Sequence, residues 1–308
     1  MDNGIRVVEE GSDWVLFHQD AEVLRYRHGP SGVPEGVNPV FEREGGYLHP
    51  VRSPGGAVLT RIQPPDHYHH YAIWNPWTQT DIEGRTVDFW NLKKEQGTVR
   101  STGIIEASAG EDTGGFRVGL EHIDKTGTDG PRPVLKEEWL VEARRRTGDG
   151  SVQTVDFTSR ISPCAGIPVR VKAYRYQGFT FRGRADWDET NLALVTSARK
   201  GQIDANGTPA HWLLIDGPTE VAAGRSGILF LSHPENPGHP EELRIWPVGA
   251  NKGKENAFVN FNPAQTHDLP FNPGITYTFR YRLLLHDGKR DAQWADEQWR
   301  AYQAQCAR

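Results

Sequence analysis

The 308-residue sequence predicts an all-β fold, a large antiparallel β-sandwich with one helix at its C-terminal end. Apolar and polar residues alternate along most of the chain, which is the pattern of strands with one buried face. Helical periodicity is rare, and the 33 glycines and 21 prolines are spread along the whole sequence, as expected where turns join many short strands. Because sandwiches of this length often form a single unit, we expect one domain over residues 1–308.

The segment 116–122 illustrates the alternation. Phe116, Val118 and Leu120 fall on one face of a strand, whereas Arg117 and Glu121 fall on the other. The same pattern predicts strands in five further segments: 136–142, 152–157, 169–174, 228–231 and 275–281.

The last segment of the chain has a different period. After residue 288 the apolar positions recur at spacings of three and four: Ala292, Ala295, Trp299, Tyr302 and Cys306. This spacing predicts an amphipathic helix at about 289–306 that packs Trp299 and Tyr302 on a sheet.

Composition excludes several classes of function. The net charge of −5 comes from interspersed acids and bases, so there is no basic stripe and no nucleic-acid partner is expected. Cys164 and Cys306 are the only cysteines, which is too few for a disulfide framework or a cysteine zinc site. Residues 1–6 lack the apolar run of a signal peptide and no stretch is long enough to span a membrane, so we expect a cytoplasmic protein without a membrane partner. Phosphate-loop, nucleophile-elbow and HExxH motifs are absent.

The densest cluster of chemically active side chains is Asp66, His67, His69 and His70. In an extended segment, His67 and His69 would share one side and His70 would face the other. Such a pair could bind a divalent metal with a third ligand, for which Asp66, His49, His122 and His286 are the candidates. Alternatively, neutral imidazoles act without a metal as general acids or as hydrogen-bond donors to sugar hydroxyls.

Two arginines and a histidine lie next to this cluster in the sequence. Residues 47–56 indicate a strand entering a turn, with His49 and Arg52 on it, and Arg61 follows on the returning strand. We expect this hairpin to bring the three side chains to the cluster, where forked guanidinium donors suit vicinal hydroxyls or a carboxylate.

Further candidates complete the expected site. Trp74 and Trp90 offer flat rings on which a sugar can stack. A proline-rich loop after the strand at 228–231 carries three more substrate-binding candidates, His233, Asn236 and His239. Glu121 and Asp66 are the candidate bases.

These motifs resemble the DUF6807 family of bacterial proteins, which is also labelled PmoA-like. The likeness spans about residues 40–290 and is carried by residues 47–56, 66–74, 87–90, 227–230, 233–237 and 239–240. The resemblance implies a supersandwich related to galactose mutarotase-like domains and an association with carbohydrate catabolism. In mutarotases two histidines and a glutamate hold and isomerise a sugar; the cluster here is similar in residue type, although no glutamate is placed by motif.

The residues and the resemblance together predict an enzyme that acts on a sugar, a glycoside or a keto sugar by acid/base proton transfer, as an epimerase, lyase or hydrolase. His67, His69, His70, Asp66 and Glu121 are its catalytic candidates. Two alternatives remain open: a non-catalytic sugar-binding protein, and a metal-dependent hydrolase or oxygenase that uses His67 and His69. In each case the expected partner is a small-molecule carbohydrate, and the oligomeric state is not specified.

Overall fold

The computed structural model describes residues 4–164 and 166–306, which form a sandwich of antiparallel sheets with one C-terminal α-helix. The predicted all-β sandwich is therefore confirmed. The strands are β1 Ile5–Glu10, β2 Asp13–His18, β3 Ala21–Arg27, β4 Tyr47–Val51, β5 Ile73–Trp74, β6 Thr80–Ile82, β7 Arg85–Val87, β8 Gly97–Ser108, β9 Thr113–Asp124, β10 Arg132–Arg144, β11 Val152–Pro163, β12 Val169–Val171, β13 Thr180–Arg182, β14 Ala193–Thr196, β15 Trp212–Pro218, β16 Arg225–Ser232, β17 Glu242–Ile245, β18 Phe258–Asn262, β19 Leu269–Phe271 and β20 Tyr277–Asp287. The α-helix is α1 Ala292–Cys306, and short 3-10 helices cover Pro39–Phe41, Leu92–Lys94 and Ala250–Gly253.

Two large sheets and one small sheet account for these strands. The first sheet has the order β1-β2-β3-β4-β5-β13-β18-β17, and the second has the order β14-β15-β16-β20-β11-β10-β9-β8. A four-stranded sheet, β19-β12-β6-β7, lies beside them.

The main core is formed by the alternating apolar residues of both large sheets. On β9, Phe116, Val118 and Leu120 are buried, whereas Arg117 and Glu121 are only half-buried, as the sequence predicts. The same core cluster includes Val155 and Phe157 of β11, and Leu48 and Ile73 of the first sheet. Burying one face of each sheet removes apolar surface from water and supplies the main driving force for folding.

A buried polar network joins the two large sheets. Glu137 of β10 accepts hydrogen bonds from Asn75, which follows β5, and from Ser159 of β11. His122 of β9 lies 2.8 Å from its other oxygen. Burial by itself would raise the pKa of Glu137, but the hydrogen bonds from His122, Ser159 and Asn75 outweigh it and hold the pKa below its ordinary value. The network therefore fixes β5, and with it the segment that precedes β5, against the second sheet.

Helix α1 covers the outer face of the second sheet. Its Ala295, Trp299 and Tyr302 are buried in a separate apolar cluster with residues of β15 and β16 such as Trp212 and Leu231. The predicted amphipathic helix is confirmed, with its start at Ala292. In the part of the chain that the structure describes, no helix is long and apolar enough to cross a membrane.

Candidate functional site

The first sheet has a second apolar surface on the face opposite the core. Leu48, Ile73 and Val259 point into the main core, whereas their chain neighbours Trp74 and Phe258 belong to a separate aromatic cluster. Because side chains alternate along a strand, this cluster lies on the outer face of the sheet. The strand period thus places apolar side chains on both faces of one sheet.

A cavity of about 220 Å³ opens beside this aromatic cluster. Its walls come from four loops: the segment before β5, the loop after β7, the loop between β12 and β13, and the loop after β17. The lining residues are His67, His69, His70, Trp90, Asn91, Tyr174, Arg175, Tyr176 and Trp246.

The three histidines lie in a compact loop closed at its base. Peptide hydrogen bonds join the peptide N of Gln63 to the carbonyl O of His70, and the peptide N of Ala72 to the carbonyl O of Arg61. Inside the loop, the peptide N of His67 donates to Pro64 and the peptide N of His70 donates to His67, at 2.9 and 3.0 Å. These bonds make two successive turns.

The expectation of an extended segment, with His70 facing away from His67 and His69, was therefore wrong. The turns bring all three rings together, with centroids 4.7 to 5.5 Å apart. All three line one cavity. A proline pair at 64–65 favours turns over an extended strand, because proline lacks a peptide donor and fixes φ.

Asp66 joins the loop to the sheet beneath it. Its Oδ2 accepts hydrogen bonds from Nδ1 of His67 at 2.7 Å and from Nη2 of Arg182 at 2.8 Å. Burial would raise the pKa of Asp66, but the hydrogen bond from His67 and the charge of Arg182 lower it to about 2. Asp66 is therefore a carboxylate at neutral pH, and the ring proton of His67 resides on Nδ1. In the neutral ring, Nε2 of His67 is therefore the nitrogen with a free lone pair, and it has no protein hydrogen bond among the described residues.

The other two histidines are neutral hydrogen-bonding groups. Burial disfavours their charged forms and lowers the pKa of His69 to about 4 and that of His70 well below its ordinary value. Nη1 of Arg182 faces Nδ1 of His70 at 3.4 Å. Because a guanidinium can only donate, the proton of His70 is on Nε2, which can donate to a ligand.

Four aromatic rings line the cavity beside the histidines, together with Asn91 and Arg175. Trp246 lies 4.8 Å from His67 between ring centroids, and Trp90 lies 5.4 Å from Tyr176. Trp74 does not line the cavity: it is fully buried behind His70 and Trp90, so it supports these rings and has no surface for a ligand.

The predicted hairpin forms, but its polar residues lie outside the cavity. Arg52 pairs with Val58 in an antiparallel bridge and donates to the carbonyl of Gly56. His49 bonds Thr60, and burial lowers its pKa to about 4. Arg61 forms an ion pair with Glu255. The expectation that this hairpin brings His49, Arg52 and Arg61 to the histidine cluster was therefore wrong, because none of the three lines the cavity.

Four other candidates are also placed elsewhere. Glu121 is paired with Arg100 at 2.7 Å on β9 of the second sheet. His233, Asn236 and His239 belong to a polar cluster beneath helix α1: Asn236 bonds Glu241, His233 packs against Tyr302, and His239 packs against Trp299. The structure therefore separates this loop from the histidine cavity.

The sequence did not point to six residues at or beneath the cavity: Asn91, Tyr174, Arg175, Tyr176, Arg182 and Trp246. Asn91 directly follows the predicted Trp90, but the other five are remote from residue 67 in the chain, so no local spacing connects them to the cluster. A weak signal exists in residues 174–176, where an arginine stands between two tyrosines at the end of a predicted strand.

The metal hypothesis has no complete ligand set. Within residues 4–164 and 166–306, no three His, Cys, Asp or Glu side chains are grouped so that they could hold a metal ion. The rings of His67 and His70 stack at 25° rather than converge. Of the proposed third ligands, His122 bonds Glu137 in the core and His286 bonds the carbonyl of Gly288.

Fold and cavity together define a class of protein: an antiparallel β-sandwich with a histidine-rich, aromatic-walled cavity on the outer face of one sheet. The chain belongs to the DUF6807 family, a family of unknown function, whose model matches residues 13–300. The resemblance seen in the sequence motifs is thereby confirmed.

Comparison with other proteins adds little beyond the family. No curated protein matches the sequence. Among solved structures, the chain is similar to the heparan sulfate lyase HepC from Pedobacter heparinus, with 11% sequence identity and a TM-score of 0.31 over 94% of this chain and 36% of that chain. The chain thus spans just over a third of the lyase's length.

Proposed function

We propose that this protein is a carbohydrate-active enzyme that transfers a proton to or from a sugar bound in the histidine cavity. The observation that carries the proposal is the Asp66–His67 pair, in which an ionised carboxylate holds Nδ1 of a cavity-lining ring and leaves its Nε2 without a partner among the described residues. The same arrangement makes histidine an effective general base in many enzymes.

The size and lining of the cavity support a sugar ring as the ligand. Its volume of about 220 Å³ is below the range of about 300–1,000 Å³ that is usual for larger ligands, so it suits one small ring. Trp90, Trp246 and Tyr176 supply apolar faces for the C–H surface of a sugar, and His69 and His70 supply polar groups for its hydroxyls.

In the proposed step, Nε2 of His67 takes a proton from an O–H or C–H group of the sugar, and the electron pair of the broken bond stays on the substrate. The carboxylate of Asp66 stabilises the imidazolium that forms. The Nε2–H of His70 donates a hydrogen bond to the oxygen that gains negative charge. Epimerisation and elimination share this step and differ in the bond that changes next. In hydrolysis, Nε2 of His67 would instead take its proton from the water molecule that attacks the sugar, whose bond to the leaving group then breaks.

The test is incubation of the protein in D2O with a panel of sugars, glycosides and 3-keto glycosides, read by NMR for new or exchanged C–H signals. Product or exchange is expected with at least one compound, and His67→Gln is expected to slow it by about 10²–10⁴-fold. His267→Gln is the matched control, because His267 is exposed and its side chain contacts the hydroxyl of its neighbour Thr266, away from the cavity lining.

A second function, a non-catalytic sugar-binding protein, is favoured by the aromatic wall alone. Such a protein would bind at least one member of the panel without forming product or exchanging C–H protons. The unsubstituted protein and His67→Gln would then both show no turnover. If no member of the panel binds or reacts, both proposals are wrong. Elemental analysis provides an additional check, since a stoichiometric metal lost in His67→Gln would contradict the metal-free step.

A further inference from the structure

The cavity carries a positive charge that none of the described residues neutralises. Arg175 lines the cavity and is exposed, and its guanidinium carbon lies 5.9 Å from the ring centre of Tyr174 and 5.3 Å from that of Tyr176. Among the described residues, no carboxylate comes within ion-pair distance of Arg175. Stacking on two tyrosines holds the guanidinium in place while its donors stay available.

A second arginine increases the positive charge on the same side. The guanidinium of Arg244 lies 5.1 Å from the ring centre of Tyr176, and its Nη2 donates to the Tyr176 hydroxyl at 3.1 Å. Its Nη1 bonds the side-chain oxygen of Asn206, so within residues 4–164 and 166–306 Arg244 also has no carboxylate partner. Because the Tyr176 oxygen accepts from Arg244, the Tyr176 hydroxyl proton is free to be donated to a ligand.

The other arginines near the site are neutralised. Arg182 pairs with Asp66, and Arg61 pairs with Glu255. The lining residues include no acid. The wall formed by Arg175 and Tyr176 therefore offers donors and positive charge for which the described protein supplies no anion.

We propose that the ligand is a sugar acid whose carboxylate is bound by Arg175 and the Tyr176 hydroxyl while the ring lies against Trp90 and Trp246. This inference rests on the proposed function and specifies its substrate class. A planar carboxylate matches the forked donors of a single guanidinium. A phosphate carries between about 1.5 and 2 negative charges and usually recruits several cationic or peptide donors, whereas Arg175 is the one arginine in the lining.

The test compares sugars that differ in the group at C6, which is a carboxylate, a methyl ester, a neutral CH2OH group or a phosphate. The probes are methyl β-glucuronide and methyl galacturonide, their methyl esters, the corresponding neutral glycosides and glucose 6-phosphate, each titrated by calorimetry or ligand-observed NMR. The uronides are expected to bind at least about tenfold more tightly than the esters and neutral glycosides, a difference of about 1.4 kcal/mol. The preference should decrease as salt is added.

Two substitutions at Arg175 test whether this residue causes the preference for uronides. Arg175→Gln should remove the preference for the uronides, and Arg175→Lys should restore part of it, because a lysine keeps the charge but lacks the fork. Arg160→Gln, an exposed arginine on β11 of the second sheet, is the matched control and should leave all affinities unchanged. Retained unfolding midpoints establish that each variant is folded.

The outcomes separate the two proposals. If neutral glycosides bind as tightly as uronides, or if Arg175→Gln keeps the preference, the sugar-acid inference is wrong and the proposed function stands. If glucose 6-phosphate binds most tightly, the carboxylate assignment is wrong. If none of the probes binds and the wider panel gives neither binding nor turnover, the proposed function fails and the inference fails with it.

Discussion

The carboxylate of Asp66 accepts hydrogen bonds from an imidazole on the cavity surface and from a guanidinium beneath it. Arg182 has no exposed surface, and Asp66 is the acid with which it forms an ion pair. One side chain therefore neutralises a buried charge and orients the candidate base. Loss of that carboxylate should affect stability and chemistry together, because breaking one side of a buried pair leaves the other charge uncompensated.

We expect Asp66→Asn to lower the free energy of unfolding by about 3 kcal/mol, because the Arg182 charge stays buried without its partner. If the proposed step is correct, turnover should also fall by about 10²–10⁴-fold. Urea denaturation and the NMR assay measure the two effects. Asp186→Asn is the control: Asp186 pairs with Arg184 at the surface, where such a pair contributes less than about 1 kcal/mol. Equal losses of stability in the two variants would contradict this account of Asp66.

The sequence identified the histidine cluster because three imidazoles and an acid in five positions are rarely needed for structure alone. It did not identify Arg182, which is 116 residues away from Asp66. Arg182 reaches the site because its strand, β13, pairs with β5 in the first sheet. No local pattern records that pairing, and the same reason explains the omission of Trp246 and Tyr176.

At the scale of elements, the clearest difference between expectation and structure is the segment before β5. An extended segment would have put His70 on the side opposite His67 and His69, but Pro64 and Pro65 precede the histidines and two turns form instead. Turn chemistry outweighs side-chain alternation over so short a segment. The helix at the C-terminus shows the opposite case, because its period persists over several turns and predicts both its extent and its buried residues.

Helix α1 should depend on one large side chain. Trp299 is 7% exposed and packs with Tyr302 against the second sheet. We expect Trp299→Ala to cost about 3–5 kcal/mol in the free energy of unfolding, because it leaves a large cavity in that cluster. Arg300→Ala, one position further along, exposes no core and should change stability by no more than about 0.5 kcal/mol. Thermal or urea unfolding distinguishes the two, and a small effect of Trp299→Ala would mean that the helix contributes little to the fold.

At the scale of the whole molecule, the sandwich buries neutral histidines as well as apolar side chains. Burial lowers the pKa of His49, His69 and His286 to about 4, whereas an unfolded histidine has a pKa near 6.5. The unfolded chain therefore binds more protons between these values. Stability is complete above about pH 6.5 and decreases as the pH falls towards 4.

This linkage can be measured by urea denaturation between pH 7.5 and 4.5. The free energy of unfolding should decrease on acidification through this range, before protonation of Asp66, whose pKa is about 2, contributes. His286→Gln should reduce the slope by about 1 kcal/mol per pH unit, because one buried titrating group is removed. His267→Gln, which removes an exposed histidine, should leave the slope unchanged. Equal slopes in all three proteins would show that His286 is not the source of the dependence.

The sequence by itself determined the all-β class, the C-terminal helix, the family and the cluster of three histidines with Asp66. Each of these depends on residues that are close in the chain, whether as a period, a composition or a motif. Only the tertiary structure decided which residues complete the cavity and that the hairpin, Glu121 and the 233–239 loop lie outside it. The physical reason is that the cavity is built on strand pairings between distant segments and on loops whose peptide hydrogen bonds, rather than side-chain alternation, set their conformation.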